Sequence, residues 1–234
     1  MPLPPRLPEA VVKPLREAQG RPRVLYLHGF ASSSRSTKAA YFGDRLREHG
    51  VEFECPDFNE PDFATMTVTR MLDQLGTAVA RGDGGVTLMG SSLGGTVAIL
   101  AAEKFQSSID RVVLLAPAVM FAKPGDHVLP PERIQEWRLR GAMPFFHHAY
   151  SEERLLSVSF YEDSLDYDAF NARVGQPTLV FQGLRDASVD YRTVEAFART
   201  RPNVTLSLLD DDHQLIASLP RIWDGVADFL GLVE

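Results

Sequence analysis

From Arg23 onward, short apolar runs alternate along the chain with longer amphipathic stretches. Such an alternation is typical of strands joined by crossover helices in a parallel sheet. The apolar runs are rich in β-branched residues or leucine, which is the composition of strands buried on both faces. The sequence therefore predicts an α/β fold with a mostly parallel sheet of about six strands, at residues 23–27, 51–55, 86–89, 111–116, 178–182 and 204–209.

The amphipathic stretches predict helices that cover both faces of this sheet. They span residues 36–49, 65–80, 93–105, 191–199 and 219–230. A chain of 234 residues can bury the core of one such domain, and two independent domains are not expected. We expect a single domain over residues 23–234, preceded by an N-terminal arm at residues 1–22 whose prolines block helix formation.

The alternation stops after the fourth predicted strand. Residues 118–176, which we call the insertion, contain no clear strand and one helical patch near residues 132–140. A segment of this length inside a compact domain is usually functional, and its aromatic residues favour a lid or cap. We predict that Phe121, Phe145 and Phe146 line a substrate pocket. The alternative is that the aromatic residues form a small core packed on the sheet.

Charge and cysteine content narrow the classes of partner. The chain has 31 acidic residues against 24 lysines and arginines, which disfavours a nucleic-acid partner because phosphate binding needs a clustered basic surface. Cys55 is the only cysteine, so no intrachain disulfide can form and a cytoplasmic location is expected. The N-terminus lacks the apolar core of a signal peptide, and no apolar run is long enough to predict membrane insertion.

The strongest local signal is the sequence Gly-Ser-Ser-Leu-Gly at residues 90–94, between the third predicted strand and the third predicted helix. It fits the G-x-S-x-G pattern, in which a serine occupies a sharp strand-to-helix turn. The turn crowds the positions two before and two after the serine, so small residues such as Gly90 and Gly94 are required there. Ser92 is the predicted nucleophile. The alternative is that Ser91 and Ser92 only cap the helix.

A serine hydroxyl becomes reactive when an imidazole takes its proton and a carboxylate orients that imidazole. In folds with this turn the chain order is serine, acid, histidine. His213 follows the last predicted strand and is the histidine that satisfies this order outside the insertion. Asp186 follows the fifth predicted strand and is the favoured acid. Asp190 is the alternative, although it precedes a helix and suits an N-cap.

Attack by the serine creates an oxyanion that needs two N–H donors. The backbone N–H groups of Leu93, directly after the nucleophile, and of Phe30, in the loop after the first strand, are the predicted donors. His28 in that loop is expected to brace it. One interpretation of the next segment is that Arg35, Ser36 and Lys38 bind an anionic substrate. The alternative is that the serine caps the next helix and that Arg35 and Lys38 lie on its exposed face.

With these residues identified, the chain resembles the YqiA-like esterases, a group of bacterial proteins with the α/β-hydrolase fold. The resemblance rests on residues 25–30, on Ser32, Ser33, Ser36 and residues 38–39, on residues 90–95, and on Asp186 with residues 189–192. It implies the α/β-hydrolase fold, and activity on short acyl esters and acyl-CoA. The chain departs from the family pattern at residues 211–214, Asp-Asp-His-Gln, and throughout the insertion.

The sequence leaves three functions open. A serine esterase or thioesterase acting on a small-molecule ester or thioester, through an acyl-enzyme on Ser92, agrees best with the three predicted catalytic residues. A serine peptidase or aminopeptidase would need carboxylates near the site, and Glu162, Asp163, Asp166 and Asp168 are candidates. A non-catalytic binding protein would be expected to lack one of the three residues. We expect no cofactor, and no metal because no motif has metal-ligand spacing.

Overall fold

The computed structural model describes residues 22–82, 84–121 and 129–232. Within these ranges eight strands are formed. They are β1 (Arg23–Leu27), β2 (Glu52–Glu54), β3 (Val86–Ser91), β4 (Ile109–Leu115), β5 (Ala142–His147), β6 (Glu152–Ser157), β7 (Thr178–Gly183) and β8 (Val204–Leu209). Six of the described strands form one parallel sheet in the order β2-β1-β3-β4-β7-β8. Apart from Pro22, the predicted N-terminal arm lies outside the described residues.

Helices cover both faces of this sheet. They are α1 (Thr37–Glu48), α2 (Val68–Val79), α3 (Leu93–Lys104), α4 (Pro131–Arg140), α5 (Ser159–Ser164), α6 (Tyr191–Arg199) and α7 (Leu219–Phe229). Apolar side chains of α1 and α7, such as Phe42 and Ile222, pack on one face. Side chains of α2, α3 and α6, such as Leu72 and Phe197, pack on the other face together with the insertion. Each face of the sheet thus has its own hydrophobic core.

The predicted α/β-hydrolase fold is confirmed. The central strands β3 and β4 are fully or almost fully buried, as the apolar run at residues 112–115 predicts for β4. The second predicted helix starts later than expected, because a short 3₁₀ turn at Phe63–Thr65 precedes it and the Thr67 side chain caps α2 by accepting from the Arg70 N–H. None of the described helices is long and apolar enough to cross a membrane.

The prediction that the insertion contains no strand is wrong. Strands β5 and β6 pair as an antiparallel hairpin, with Met143 opposite Leu156 and His147 opposite Glu152. The sequence pattern did not predict this hairpin, because Pro144 lies inside β5 and β6 begins with charged residues. Both features weaken the pattern that is typical of a strand. The predicted helical patch corresponds to α4, and the short helix α5 follows the hairpin.

Polar side chains join the parts of the insertion to one another and to the rest of the domain. The indole N–H of Trp137 donates to the Leu156 carbonyl at 2.8 Å, which joins α4 to the hairpin. The Asp163 carboxylate accepts the Thr69 backbone N–H at 3.0 Å, which joins α5 to the first turn of α2. These contacts hold the insertion over the carboxyl ends of the sheet strands.

Candidate active site

Ser92 occupies the sharp turn between β3 and α3. Its φ of 53° lies in the left-handed region, which is strained for a residue with a side chain. A Cβ at Gly90 would collide with the Gly94 carbonyl, and a Cβ at Gly94 would collide with the Leu27 carbonyl. The Ser92 side chain makes no capping hydrogen bond to α3. The turn therefore presents the hydroxyl away from the helix, and the capping alternative does not describe it.

The structure brings Ser92, His213 and Asp186 together from three separate loops. Ser92 Oγ lies 3.0 Å from His213 Nε2, and His213 Nδ1 lies 2.8 Å from Asp186 Oδ2. A carboxylate can only accept, so Nδ1 carries the proton and Nε2 is left to accept the serine hydroxyl. In this arrangement the imidazole can take the proton of Ser92 while the carboxylate supports the resulting positive charge.

Asp186 is well suited to remain ionised. Its side chain is fully buried and accepts the backbone N–H groups of Ser188 and Val189, each at 2.8 Å, and the Gln182 amide at 2.9 Å. Burial raises its pKa, but the hydrogen bonds and charge of His213, with those of Val189 and Gln182, outweigh burial and hold the pKa below its usual value.

The alternative acid, Asp190, has a different role. Its carboxylate accepts the Arg192 backbone N–H at 2.9 Å and caps the N-terminus of α6. Its side chain is 51% exposed and faces the Arg192 guanidinium. It makes no contact with His213 among the described residues. Geometry therefore separates the two acids that the sequence left open.

The two predicted oxyanion donors border the same cavity as Ser92. Within the described residues, neither the Phe30 nor the Leu93 backbone N–H has a protein acceptor. A Cβ added to Gly29 would lie 3.3 Å from Ser92 Cβ, so the loop that carries Phe30 passes directly beside the nucleophile. Two free N–H groups at this position can receive a negatively charged oxygen.

His28 connects this loop to the segment that contains Phe58. It is 1% exposed, its Nε2 accepts the Phe58 N–H at 2.9 Å, and its Nδ1 donates to the Gly29 carbonyl at 3.0 Å. Asp57 lies beside it; burial raises the Asp57 pKa, but hydrogen bonds from the Asn59 backbone N–H and the Ser34 hydroxyl help to hold that pKa below its usual value. Asn59 continues the network, because its side-chain oxygen lies 3.0 Å from Nε2 of the buried His147 in the insertion.

Three residues near the start of α1, namely Arg35, Ser36 and Lys38, were considered either for binding an anionic substrate or for capping and covering the helix. The structure shows that their positions differ. Ser36 caps α1 by accepting the Ala39 N–H, and Arg35 is exposed at the cavity rim. Lys38 does not lie on the exposed face of the helix, because it is only 9% exposed. Its ammonium donates to the Gln214 carbonyl at 3.1 Å, directly beside His213.

The insertion closes one side of a cavity of about 1510 Å³ above Ser92. Phe121 and Phe145 line it, as predicted from the sequence. Phe146 does not, because alternate residues of β5 face opposite ways and Phe146 is 53% exposed on the outer face. The prediction for Phe146 is therefore corrected. Further apolar residues complete this wall: Phe30, Met120, Leu129, Ile134, Trp137, Phe160 and Tyr161.

The sequence analysis did not predict two features of the site, namely the role of Gln182 and the burial of Lys38. Gln182 is fully buried at the end of β7, and its amide orients Asp186. A polar residue ending an otherwise apolar strand is the signal that could have found it. Lys38 was considered, but its burial could not be read from the helix that contains it.

The four insertion carboxylates considered for a peptidase do not line the cavity among the described residues. They are Glu162, Asp163, Asp166 and Asp168. Asp163 instead binds Thr69 on the outside of the domain. The acidic residues that do border the cavity are Asp57, Glu60 and Asp190.

Solved structures with the same fold come from distant organisms. Est1E from Butyrivibrio proteoclasticus, in a structure with ferulic acid bound, is 21% identical with a TM-score of 0.76 and covers 89% of this chain and 88% of its own. The mouse alpha/beta hydrolase domain-containing protein 10 is 20% identical with a TM-score of 0.76 and covers 90% of each chain. A monoacylglycerol lipase from Paleococcus ferrophilus is 14% identical with a TM-score of 0.74 and covers 92% of this chain and 98% of its own.

These structural similarities establish the fold, whereas the match of the sequence to a family model establishes the family. A search of curated proteins found no match. The model of the uncharacterised protein family UPF0227 matches residues 23–229, which is nearly all of the described chain. The chain therefore belongs to the UPF0227 family, the YqiA-like group of α/β-hydrolase-fold proteins.

Proposed function

We propose that this protein is a serine hydrolase that cleaves carboxylic esters or thioesters with short to medium acyl chains, including acyl-CoA. The observation that carries the proposal is the continuous pair of hydrogen bonds from Ser92 through His213 to Asp186, at 3.0 and 2.8 Å. A serine, an imidazole and a buried carboxylate in this order are the parts of an acyl-transfer site. The similar structures named as a lipase and a hydrolase domain agree with this class.

In the proposed reaction His213 Nε2 removes the Ser92 proton while Oγ attacks the carbonyl carbon of the substrate. The carbonyl oxygen becomes an oxyanion that the N–H groups of Phe30 and Leu93 stabilise. The imidazolium then protonates the departing alcohol or thiol, which leaves an acyl group on Ser92. A water molecule, deprotonated in turn by His213, attacks this acyl-enzyme and releases the acid and free serine.

The shape of the cavity supports an apolar acyl group. The cavity that contains Ser92 is lined by aromatic residues of the insertion, including Phe121 and Phe145, and by the polar residues 32–38. An acyl chain placed against the aromatic wall loses contact with water, and a polar alcohol or thiol then faces the serine-rich loop. The volume exceeds what an acetyl group requires, which is the basis for including medium chains. A cytoplasmic location is part of this proposal and follows from the single cysteine.

The first test is covalent labelling with a fluorophosphonate, which reacts with activated serines. We expect the wild-type protein and Ser91→Ala to be labelled, and Ser92→Ala to remain unlabelled with an unchanged melting temperature. Ser91 is the matched control because it is the neighbouring serine on the same turn. Labelling of Ser92→Ala, or no labelling of the wild type, would contradict the proposal.

The second test separates substrate classes. Rates on p-nitrophenyl acetate, a C2–C12 series of p-nitrophenyl esters, acyl-CoA thioesters and an aminoacyl p-nitroanilide should favour the esters and thioesters over the amide. The four carboxylates of the insertion that were considered for binding a free amine do not line the cavity among the residues described. Faster cleavage of the amide than of any ester would replace this proposal with a peptidase.

A further inference from the structure

Lys38 is a buried cation that the proposed mechanism does not use. It is 9% exposed and lies in the first turn of α1, where the positive end of the helix dipole opposes a positive side chain. Its ammonium donates to the Gln214 carbonyl at 3.1 Å, although the two residues lie 176 positions apart in the sequence. A lysine in this position is costly unless its surroundings compensate for the lost water.

The compensation comes from the loops that carry the catalytic candidates. Asp186, in the loop after β7, and Asp211 and Asp212, in the loop after β8, attract the ammonium. Burial nevertheless outweighs these carboxylates and lowers the pKa of Lys38 to about 8. Lys38 therefore carries its charge at neutral pH while lying against the segment that contains His213.

The other charged groups around this segment are already engaged. Arg185 pairs with Asp210, and Arg192 faces Asp190. Asp211 accepts the N–H groups of Ser218 and Asp212, which anchors the loop at its base. Among the described residues, Lys38 is the buried cation on the cavity side of the Asp186–His213 pair.

We propose that Lys38 is a positioning residue for His213: its ammonium holds the His213 loop through the Gln214 carbonyl, and its charge opposes protonation of the imidazole. The inference rests on the proposed serine-hydrolase function. A nearby cation disfavours the imidazolium, so it lowers the pH at which His213 stops being available as a base. Loss of the hydrogen bond from Lys38 to the Gln214 carbonyl, by contrast, would loosen the loop without requiring any change in the pKa of His213.

The test is an NMR titration of the histidine ring signals in the intact protein, with His213→Gln used to assign the His213 resonance. In Lys38→Met we expect the apparent pKa of His213 to rise by roughly 0.5 to 1 unit, since one unit charge is removed from a partly buried site. Lys38→Arg keeps the charge and should stay within about 0.2 unit of the wild type. Lys104→Met is the matched control, because it removes a charge from a half-exposed surface lysine paired with Asp73.

An equal His213 pKa in Lys38→Met and Lys104→Met would overturn the proposal. Exchange of a buried charge for an apolar chain of similar size is often tolerated, and Lys38→Gln replaces Lys38→Met with the same expected shift if the latter does not fold. The pH profile of kcat/KM on p-nitrophenyl acetate is the second measurement, in which the acidic limb should move upward by the same amount. A titration shift without any ester hydrolysis would contradict the proposed function and leave the Lys38 assignment standing.

Discussion

At the scale of single residues, the site depends on which of two aspartates supports His213. Asp186 is fully buried against the imidazole, and Asp190 caps α6 at the surface. We predict that Asp186→Asn lowers kcat for an activated ester by roughly 10³ to 10⁴, because an amide at this position favours the wrong imidazole tautomer. Measured kcat decides this, and a circular dichroism spectrum like that of the wild type shows that the variant is folded.

Asp190 supplies the matched comparison for this prediction. Asp190→Asn should be almost silent because asparagine caps helices about as well as aspartate. Asp190→Ala should lower the free energy of unfolding by about 1 kcal/mol with little effect on kcat. A large rate loss in Asp190→Asn beside a nearly active Asp186→Asn would reverse the two roles.

At the scale of secondary-structure elements, the turn from β3 to α3 determines where Ser92 lies. A Cβ at Gly94 would collide with the backbone carbonyls of Leu27 and His28, which belong to β1 and the loop after it and cannot move independently of the sheet. We predict that Gly94→Ala destabilises the fold by about 1–3 kcal/mol and lowers kcat on the order of 100-fold, because overpacking shifts the nucleophile.

A substitution at Gly50 is the control that tests whether the effects of Gly94→Ala come from crowding. It has a φ of +73° after α1, and a Cβ there would meet nothing within 4 Å. Gly50→Ala should therefore cost on the order of 1–2 kcal/mol through backbone strain, while kcat is retained. Urea unfolding and kcat for both variants separate the two mechanisms, and full activity in Gly94→Ala would contradict the crowding argument.

At the scale of the whole molecule, buried ionisable groups lie close to the cavity and link stability to pH. Hydrogen bonds outweigh burial in lowering the pKa values of Asp57, Asp186 and Asp211, so their contribution is present above the unfolded pKa of about 3.9 and is lost as the pH falls through the lower folded values. Burial, reinforced by the charge of Arg154, lowers the pKa of His147. The unfolded chain therefore takes up a proton on His147 first, below about pH 6.5.

This order predicts two phases of acid destabilisation. The free energy of unfolding should fall between pH 7 and pH 5 through His147, and further below pH 4 through the carboxylates. Urea unfolding at a series of pH values measures it. His147→Phe should remove the first phase, whereas His49→Phe, at an exposed histidine, should leave it intact. Equal stability of the wild type at pH 7 and pH 5 would contradict this assignment.

The sequence alone determined the features that depend on local patterns. Continuous apolar runs such as that of β4 predict buried parallel strands wherever they occur, and the Gly-Ser-Ser-Leu-Gly turn predicts the position of Ser92 because only small residues fit around it. The proximity of Ser92, Asp186 and His213 could be predicted because each follows a predicted strand, and the carboxyl ends of parallel strands meet at one edge of the sheet.

The tertiary structure decided what depends on residues distant in the sequence. Phe146 points outward because the pairing of β5 with β6 determines which alternate residues face the cavity, and Pro144 hid that pairing. Lys38 is buried because the loop after β8 packs against the start of α1, a contact between segments at opposite ends of the chain. Periodicity within a helix or strand reports which side chains share a face, but the element that packs on that face is determined only when the whole chain has folded.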